Sequence, residues 1–262
     1  MDDGGAYLAT MRRTAPLVQC ITNFVAMNVM ANVLLAAGAS PAMVHDPEEA
    51  AEFAAIAQAL TINIGTPDPR WVEGMLAAAE GAARAGVPWV LDPVAVGATA
   101  FRRDIGARLL ALRPGVIRGN ASEILALAGA AARGKGADSA DPVAAAEDAA
   151  RRLAQTSGAV VAVTGPVDYV TDGARAFRIA NGHPLMPKVT ALGCSLTGVV
   201  GAFVAGQPRL EATVAALACF GLAGEIAARA ARGPASFQTA FIDALHAMTP
   251  DDLTLGARVE AA

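Results

Sequence analysis

The chain has 262 residues, 54% of them hydrophobic and 17% charged, with a net charge of −4. That is ample for a sizeable core in one or two domains, and neither a basic balance nor a basic stripe points to a nucleic-acid partner. Three cysteines (Cys20, Cys194, Cys219) and three histidines (His45, His183, His246) stand too far apart for a disulfide scaffold, a zinc ribbon or a histidine metal site.

Met1–Thr10 opens acidic and glycine-rich, unlike a secretory signal, so the cytoplasm is the expected compartment. Short β-branched or aliphatic runs then alternate with longer helical patterns. Candidate strands are Leu17–Ile21, Ala42–Val44, Ala59–Ile64, Trp89–Leu91, Val116–Arg118 and Ala159–Val163. Helical patterns lie between them at Ala26–Ala37, Pro47–Gln58, Pro69–Ala85, Phe101–Leu112 and Pro142–Gln155. Asp46-Pro47 and Asp141-Pro142 each supply an N-cap followed by proline at the first helical position. Such alternation predicts a parallel sheet covered by helices on both faces. Ala131–Ala140, rich in Gly and Ala with mixed charge, reads as a mobile excursion.

Past Thr164 the pattern changes. Asp168–Thr171 and Ala176–Ile179 flank Asp172-Gly173, a hairpin signal that closes the sheet with an antiparallel edge. Helix then dominates over Ser195–Val204, Leu210–Ala231 and Pro234–Ala247. No linker divides the composition, so one domain is expected over residues 1–262. The low charge asks for extra buried surface, which oligomerisation would supply. The uncharged stretches Thr22–Val44 and Val189–Pro208 are long enough to span a membrane. Asn, Ser, Thr, Gly or Pro interrupts both, and aromatic and basic flanks are missing, so no membrane association is expected.

In an open parallel sheet, ligands gather at the carboxyl ends of the strands. Polar residues cluster there. Thr22-Asn23 follow the first strand, and the second carries Met43 and exits at His45. Asn63 and Gly65-Thr66 end the third; Asp92-Pro93 end the fourth, with Gly97 beyond. Arg118-Gly119-Asn120 end the fifth, with Glu123 on the first turn of the next helix, and Thr164-Gly165 end the sixth. Each has a plain structural explanation. Asp92 before proline serves as a turn residue, and Asn120 with Glu123 reads as an N-cap and its capping-box partner. His45-Asp46 reads as a loop pair plus helix cap, Met43 as core filler, and Cys20 and Cys219 as buried, inert thiols. Their joint placement on one rim is what those separate explanations leave out.

The stretch Lys188–Gly198 adds a seventh member. It passes from a β-branched lead-in through a small-residue turn into an apolar helical run. Such a turn presents unpaired N–H groups and the positive end of a helix dipole, which favour an anion, most often a phosphate. Cys194 stands at that helix start, where the dipole is expected to lower its pKa and make a thiolate accessible.

Several segments fall in a recognisable order: Cys20-Ile-Thr-Asn23, Ala37-Gly-Ala-Ser-Pro-Ala-Met43, Asn63-Ile-Gly-Thr66, Leu91-Asp-Pro-Val94 with Gly97-Ala-Thr99, and Ile117-Arg-Gly-Asn-Ala-Ser-Glu123. Val163-Thr-Gly165, Asn181-Gly-His183, Lys188-Val-Thr190, Gly193-Cys194 and Gly233-Pro-Ala-Ser-Phe-Gln238 continue it. The ordered set resembles the hydroxyethylthiazole kinase family of the ribokinase-like superfamily over nearly the whole chain. The resemblance implies a three-layer α/β/α ribokinase-like fold, with a mostly parallel central sheet and an antiparallel hairpin at one edge. It implies ATP-dependent phosphorylation, with Mg2+, of the primary alcohol of 4-methyl-5-(2-hydroxyethyl)thiazole in thiamin salvage. By the family pattern Cys194 and Gly193 are catalytic, and Arg118, Thr164 and Asn120 bind ATP. Asp92 and Glu123 organise magnesium, partly through water. Asn23, Met43, Gly65 and Ala191 shape the thiazole pocket. A homotrimer with active sites at subunit interfaces is implied as well.

One departure lies inside the turn. The family pattern there is Gly-x-Gly-Cys, whereas this chain reads Ala191-Leu192-Gly193-Cys194, and alanine restricts positive φ. Three other readings stay open at this level. They are another small-alcohol kinase of the superfamily, such as a hydroxymethylpyrimidine kinase; a cysteine-nucleophile acyl-transfer enzyme using a histidine base; and a non-catalytic ligand-binding remnant, suggested by Ala191.

Overall fold

The computed structural model describes residues 3–131 and 142–262, so the Ala131–Ala140 excursion beyond its first residue, and the Asp141 cap, lie outside the described residues. In chain order the first half runs α1 (Gly4–Thr14), β1 (Leu17–Ile21), α2 (Met27–Ala37), β2 (Ser40–Ala42), α3 (Pro47–Ile56), β3 (Ala59–Asn63), α4 (Pro69–Ala85), β4 (Trp89–Asp92), α5 (Ala100–Ala111), β5 (Val116–Asn120) and α6 (Ala121–Ala131). The second runs α7 (Pro142–Ser157), β6 (Val160–Thr164), β7 (Asp168–Thr171), β8 (Ala176–Ile179), a 3-10 turn (Met186–Lys188), α8 (Leu192–Val204), α9 (Arg209–Ala230), α10 (Pro234–Ala247), α11 (Pro250–Gly256) and β9 (Val259–Ala261).

The strands form one sheet in the order β2-β1-β3-β4-β5-β6-β7-β8-β9. The pairings from β2 through β6 are parallel, and those from β6 through β9 are antiparallel. Side chains alternate across the sheet. Val18, Cys20, Val90 and Val116 join a core built with α1, α2, α8, α9 and α10. Leu60, Ile62, Leu91 and Ile117 join a second core built with α3 to α7. Two apolar faces covered by two helix layers give the three-layer α/β/α architecture, and the hairpin at the antiparallel edge falls where Asp172-Gly173 places it.

One helix sets the position of the chemistry. A Cβ on Gly201 would lie 2.6 Å from Thr61 Cγ2, and one on Gly198 would lie 2.5 Å from Leu34 Cδ1. These glycines let α8 press against the sheet and α2, carrying its amino end over the carboxyl ends of the strands.

Some boundaries differ from the sequence reading. The second strand is Ser40–Ala42 rather than Ala42–Val44, so Met43 lies just past the strand, not in it. The Val44 carbonyl accepts from the Gln19 side chain (3.0 Å) instead of joining the ladder, while Pro41 is tolerated on this edge strand. The helix read as Ser195–Val204 begins at Leu192, which puts Cys194 at its third position. α1, α11 and β9 carry no clear signal: α1 opens on two glycines, is capped by Asp3 and packs on α9 and α11, while β9 is three residues paired to β8. The stretches weighed as membrane spans contain α2 and α8, apolar helices of 11 and 13 residues. α9 is long and apolar enough to cross a membrane, but 83% of its apolar window is buried in the fold.

Candidate active site

Of the six parallel strands, β1, β3, β4, β5 and β6 deliver polar residues to the same rim, and most of these join in one hydrogen-bonded network. Asn23, just past β1, uses its Oδ1 to accept from the N–H groups of Val25 and Ala26, both at 3.1 Å. Its Nδ2 then donates to Asn63 Oδ1 (2.9 Å) and to Cys194 Sγ (3.2 Å). Asp92 ends β4 with its side chain 1% exposed. Asp92 Oδ2 accepts from Asn63 Nδ2 (2.7 Å) and Thr197 Oγ1 (2.8 Å), and Arg118 Nη1 stands 3.7 Å away. From β5, Arg118 donates to the Gly193 carbonyl (3.0 Å) and to Thr164 Oγ1 (2.8 Å).

Two buried atoms at the centre of this network have no partner: Asp92 Oδ1 and Arg118 Nε. Buried polar atoms are nearly always paired, so an unmet carboxylate oxygen and an unmet guanidinium N–H on two residues of one ion pair are left for a further polar group. The N-cap of α8, Ala191, supplies no side-chain acceptor, which leaves the first-turn N–H groups to an anion. Ala191 itself adopts φ +66, the left-handed conformation that glycine takes without cost.

Burial dominates the electrostatics. It pushes the Asp92 carboxyl up to about 6, against the opposing influence of Arg118, Thr197 and Asn63. Burial, and then the Asp92 charge, also push the Cys194 thiol above its ordinary value, although Asn23, Asn63 and Arg118 pull the other way. The expectation of a dipole-activated thiolate is thus overturned: desolvation and a neighbouring carboxylate outweigh the helix end, and Cys194 is a neutral thiol at neutral pH. The acyl-transfer reading gains no support either: among the described residues the Cys194 sulfur is hydrogen-bonded by Asn23 and by no histidine. His45 Nδ1 sits 3.3 Å from the Met43 carbonyl and stacks on Trp71, while His183 Nδ1 accepts from the Leu185 N–H.

Glu123 and Asn120 occupy the next turn along the rim. The Asn120 Oδ1 accepts from the Glu123 N–H (3.0 Å), and Glu123 Oε2 accepts from the Asn120 N–H (2.9 Å), so the capping box is formed. Glu123 Oε1 meanwhile accepts from the Ala95 N–H (3.0 Å), anchoring the loop after Asp92. Among the described residues no group of three or more His, Cys, Asp or Glu side chains could cage a metal. The donor set suits magnesium, which is held by one or two carboxylates together with phosphate oxygens and water: Asp92 Oδ1 is unpaired, whereas both Glu123 oxygens already accept backbone N–H groups.

The structure therefore brings together Asn23, Asp92, Arg118, Thr164, Gly193 and Cys194, with Ala191 adjoining through α8. Gly65 packs on Asn23, since a Cβ there would lie 2.7 Å from its Nδ2. Met43 is partly buried against the α2/α8 core without a polar contact to the network. Three residues escaped the sequence reading of the site. Asn63 was on the rim but given no role, and Thr197 is hidden inside an apolar helical run. Arg102, on the first turn of α5, donates to the carbonyls of Gly65 (2.7 Å), Val94 (2.8 Å) and Ile64, tying the ends of β3 and β4. A cavity of about 550 Å³ at the opposite rim, lined in part by Trp89, Arg113 and Arg209, shares no residue with the network.

Known proteins similar in sequence and in shape point the same way. A hydroxyethylthiazole kinase from Cereibacter sphaeroides is 81% identical over 262 residues, covering all of both chains. The solved hydroxyethylthiazole kinase from Pyrococcus horikoshii OT3 superposes with a TM-score of 0.92 at 41% identity, covering 99% of this chain and 98% of that one. A ribokinase-like superfamily protein from Enterococcus faecalis shares the fold, with a TM-score of 0.63 at 12% identity over 92% and 93% of the two chains. Residues 8–251 match the model of the hydroxyethylthiazole kinase family, and the chain belongs to that family.

Proposed function

We propose that the rim joining β1, β3, β4, β5, β6 and α8 is where this kinase moves the γ-phosphoryl group of ATP to the primary alcohol of 4-methyl-5-(2-hydroxyethyl)thiazole. The observation that carries it is the unmet Asp92 Oδ1 and Arg118 Nε pair beneath the uncapped first turn of α8. Phosphoryl transfer needs little covalent help from the protein; it needs positioning and charge stabilisation. The N–H groups at Gly193 and Cys194 form an anion hole for the transferring group, and Arg118, braced on Thr164 and the Gly193 carbonyl, faces the phosphates with Asn120 nearby. Asp92 would hold Mg2+, with Glu123 reaching it through water. Bound there, the ion would neutralise phosphate charge.

Cys194, a neutral thiol, stands beside the acceptor hydroxyl as a positioning contact and not as a covalent nucleophile. Asn23, Met43, Gly65 and Ala191 shape the thiazole pocket. The alcohol oxygen bonds to the γ-phosphorus as the bond to the bridging oxygen breaks; ADP leaves, and the hydroxyl proton passes to a phosphoryl oxygen and from there to solvent. Phe24 and Val25, next to Asn23, are 61% and 58% exposed. Such an apolar flank beside a pocket supports a homotrimer whose partner subunit completes the site. The cytoplasm is the compartment that supplies ATP and keeps the three thiols reduced.

The test is direct: purified protein, Mg-ATP and the thiazole alcohol, with the thiazole monophosphate followed by mass spectrometry. Binding of both ligands without product would overturn the reading. Hydroxymethylpyrimidine in place of the thiazole alcohol should give no comparable turnover.

A further inference from the structure

Asn63, at the carboxyl end of β3, is 2% exposed and has no part in the assignments above. Its neighbours fix the orientation of its amide. The Gly65 N–H meets one of its terminal atoms at 2.9 Å, and a backbone N–H only donates, so that atom is Oδ1. Asn23 is fixed the same way, because two backbone N–H groups meet its Oδ1. The remaining bonds have only one direction left. Asn23 Nδ2 donates both to Cys194 Sγ and to Asn63 Oδ1, and Asn63 Nδ2 donates to Asp92 Oδ2 at 2.7 Å. The pattern demands a neutral amide in the middle: an acceptor toward Asn23 and Gly65, a donor toward a carboxylate.

We propose that Asn63 is a positioning residue for phosphoryl transfer, locking the Cys194 sulfur and the Asp92 carboxylate into one frame across the ends of β1, β3 and β4. Groups on α8 and on β4 have no covalent reason to keep a fixed separation, and misplacement by about 1 Å costs on the order of a hundredfold in rate. Thr197 ties α8 to Asp92 directly; Asn63 supplies the second link, through Asn23 to the Cys194 sulfur itself, and Gly65 leaves room for it, since a Cβ there would strike Asn23. Asn63 also lies close enough to the thiol to influence its ionisation. A carboxylate in its place would keep the acceptors but set oxygen against oxygen at Asp92, and would bring negative charge to the sulfur.

This inference rests on the roles given to Cys194 and Asp92, so Asp92→Asn and Cys194→Ala are measured beside the new variants. Asn63→Asp, isosteric with the native residue, is assayed with Mg-ATP and the thiazole alcohol. Alkylation of Cys194 by iodoacetamide is followed at fixed pH by peptide mass spectrometry, which is specific because Cys20 and Cys219 are buried. The expected result is a kcat lower by about 10–100-fold, with the KM for ATP within about threefold of the native value. Alkylation should slow about tenfold, because adjacent negative charge disfavours the thiolate. A residue that merely held the fold together would instead loosen the site on replacement and speed alkylation. The proposal is overturned if Asn63→Asp turns over normally while Asp92→Asn is inactive, or if kcat falls with alkylation unchanged or faster. Asn63→Leu, which removes every polar bond without adding charge, gives an independent reading should Asn63→Asp not fold. Loss of kcat supports the frame, and native turnover overturns it. If Asp92→Asn and Cys194→Ala both keep full activity, the site assignment itself falls and the frame falls with it.

Discussion

Two arginines meet helix ends in this molecule, and they are treated in opposite ways. Arg12, on α1, donates to the carbonyls of Ala37 (3.1 Å), Leu245 (2.7 Å) and Met248, which end α2 and α10. Those carbonyls have no partner within their own helices, and a cation there also meets the negative ends of two dipoles. The knot is closed. Arg118 is likewise partly buried, its side chain 12% exposed, yet it stands beneath the positive end of α8 with its Nε unmet, and Asp92, 3.7 Å from its Nη1, keeps an unmet Oδ1. A guanidinium at a helix C-terminus completes the fold. A guanidinium at a helix N-terminus, where like charge gathers, does not complete the fold in that way; in the proposed function it would meet the phosphates.

The largest expected effect lies at the open end of that contrast. Arg118→Ala should lower kcat/KM for ATP by about 10²–10³, the usual consequence of removing one donor to a transferring charge. Thiazole binding, measured by calorimetry, should change far less. Equal loss of both would mean that Arg118 only braces the rim. Arg12→Ala should behave in reverse, costing about 2–4 kcal/mol as its carbonyls lose their donor, and lowering Tm by roughly 5–10 °C. Its kcat at 20 °C should stay near native. A loss of turnover at unchanged Tm would break the contrast.

Much of the open region was legible in the sequence, and little of the closed one. Parallel strands announce themselves through aliphatic runs, and the rule that ligands sit at their carboxyl ends assembled Asn23, Asp92, Arg118 and Thr164 on one rim before any contact was known. The Asp172-Gly173 turn likewise fixed the hairpin. The Arg12 knot joins residues more than two hundred positions apart, and no local pattern carries that. Thr197 was missed because a single hydroxyl in an apolar helix looks like core, and Arg102 because a basic residue on a first helical turn looks like surface. The Cys194 thiol shows a different failure. Helix position is a local signal, but burial beside Asp92 is a tertiary one, and burial decided the pKa.

Asp168 offers a smaller effect on the open side. It follows the Thr164-Gly165 turn, accepts from the Gly165 N–H (2.9 Å), and burial pushes its carboxyl up to about 6. A carboxylate raised in the folded state binds its proton more tightly there than in the unfolded chain. Its contribution is therefore fully present below the ordinary value of about 4 and is lost as pH rises through about 6. Asp168→Asn keeps the acceptor for Gly165 and removes the titration. The variant's Tm relative to native should be higher at pH 8 than at pH 4, and a difference independent of pH would contradict the burial argument.

The finest test compares two alanines. Ala15, beside the Arg12 knot, and Ala191, at the head of α8, both hold left-handed backbone, with φ of +41 and +66. Each conformation costs an alanine about 1–2 kcal/mol more than a glycine, partly offset by the extra freedom glycine has when unfolded. Ala15→Gly and Ala191→Gly should therefore raise stability by similar amounts, about 0.5–1 kcal/mol each. Their effects on turnover should separate. Ala15 closes a helix in the structural knot, so its replacement should leave kcat alone. Ala191 begins the turn whose N–H groups, in the proposed reaction, would face the transferring phosphoryl group, and its methyl is the feature there that the glycine-led pattern of the resemblance lacks. Ala191→Gly should shift kcat or the thiazole KM about two- to fivefold, the scale of a small change in positioning. If both variants gained stability and neither altered turnover, the strain at Ala191 would be structural, like that at Ala15, and the head of α8 would tolerate either residue without consequence for the reaction.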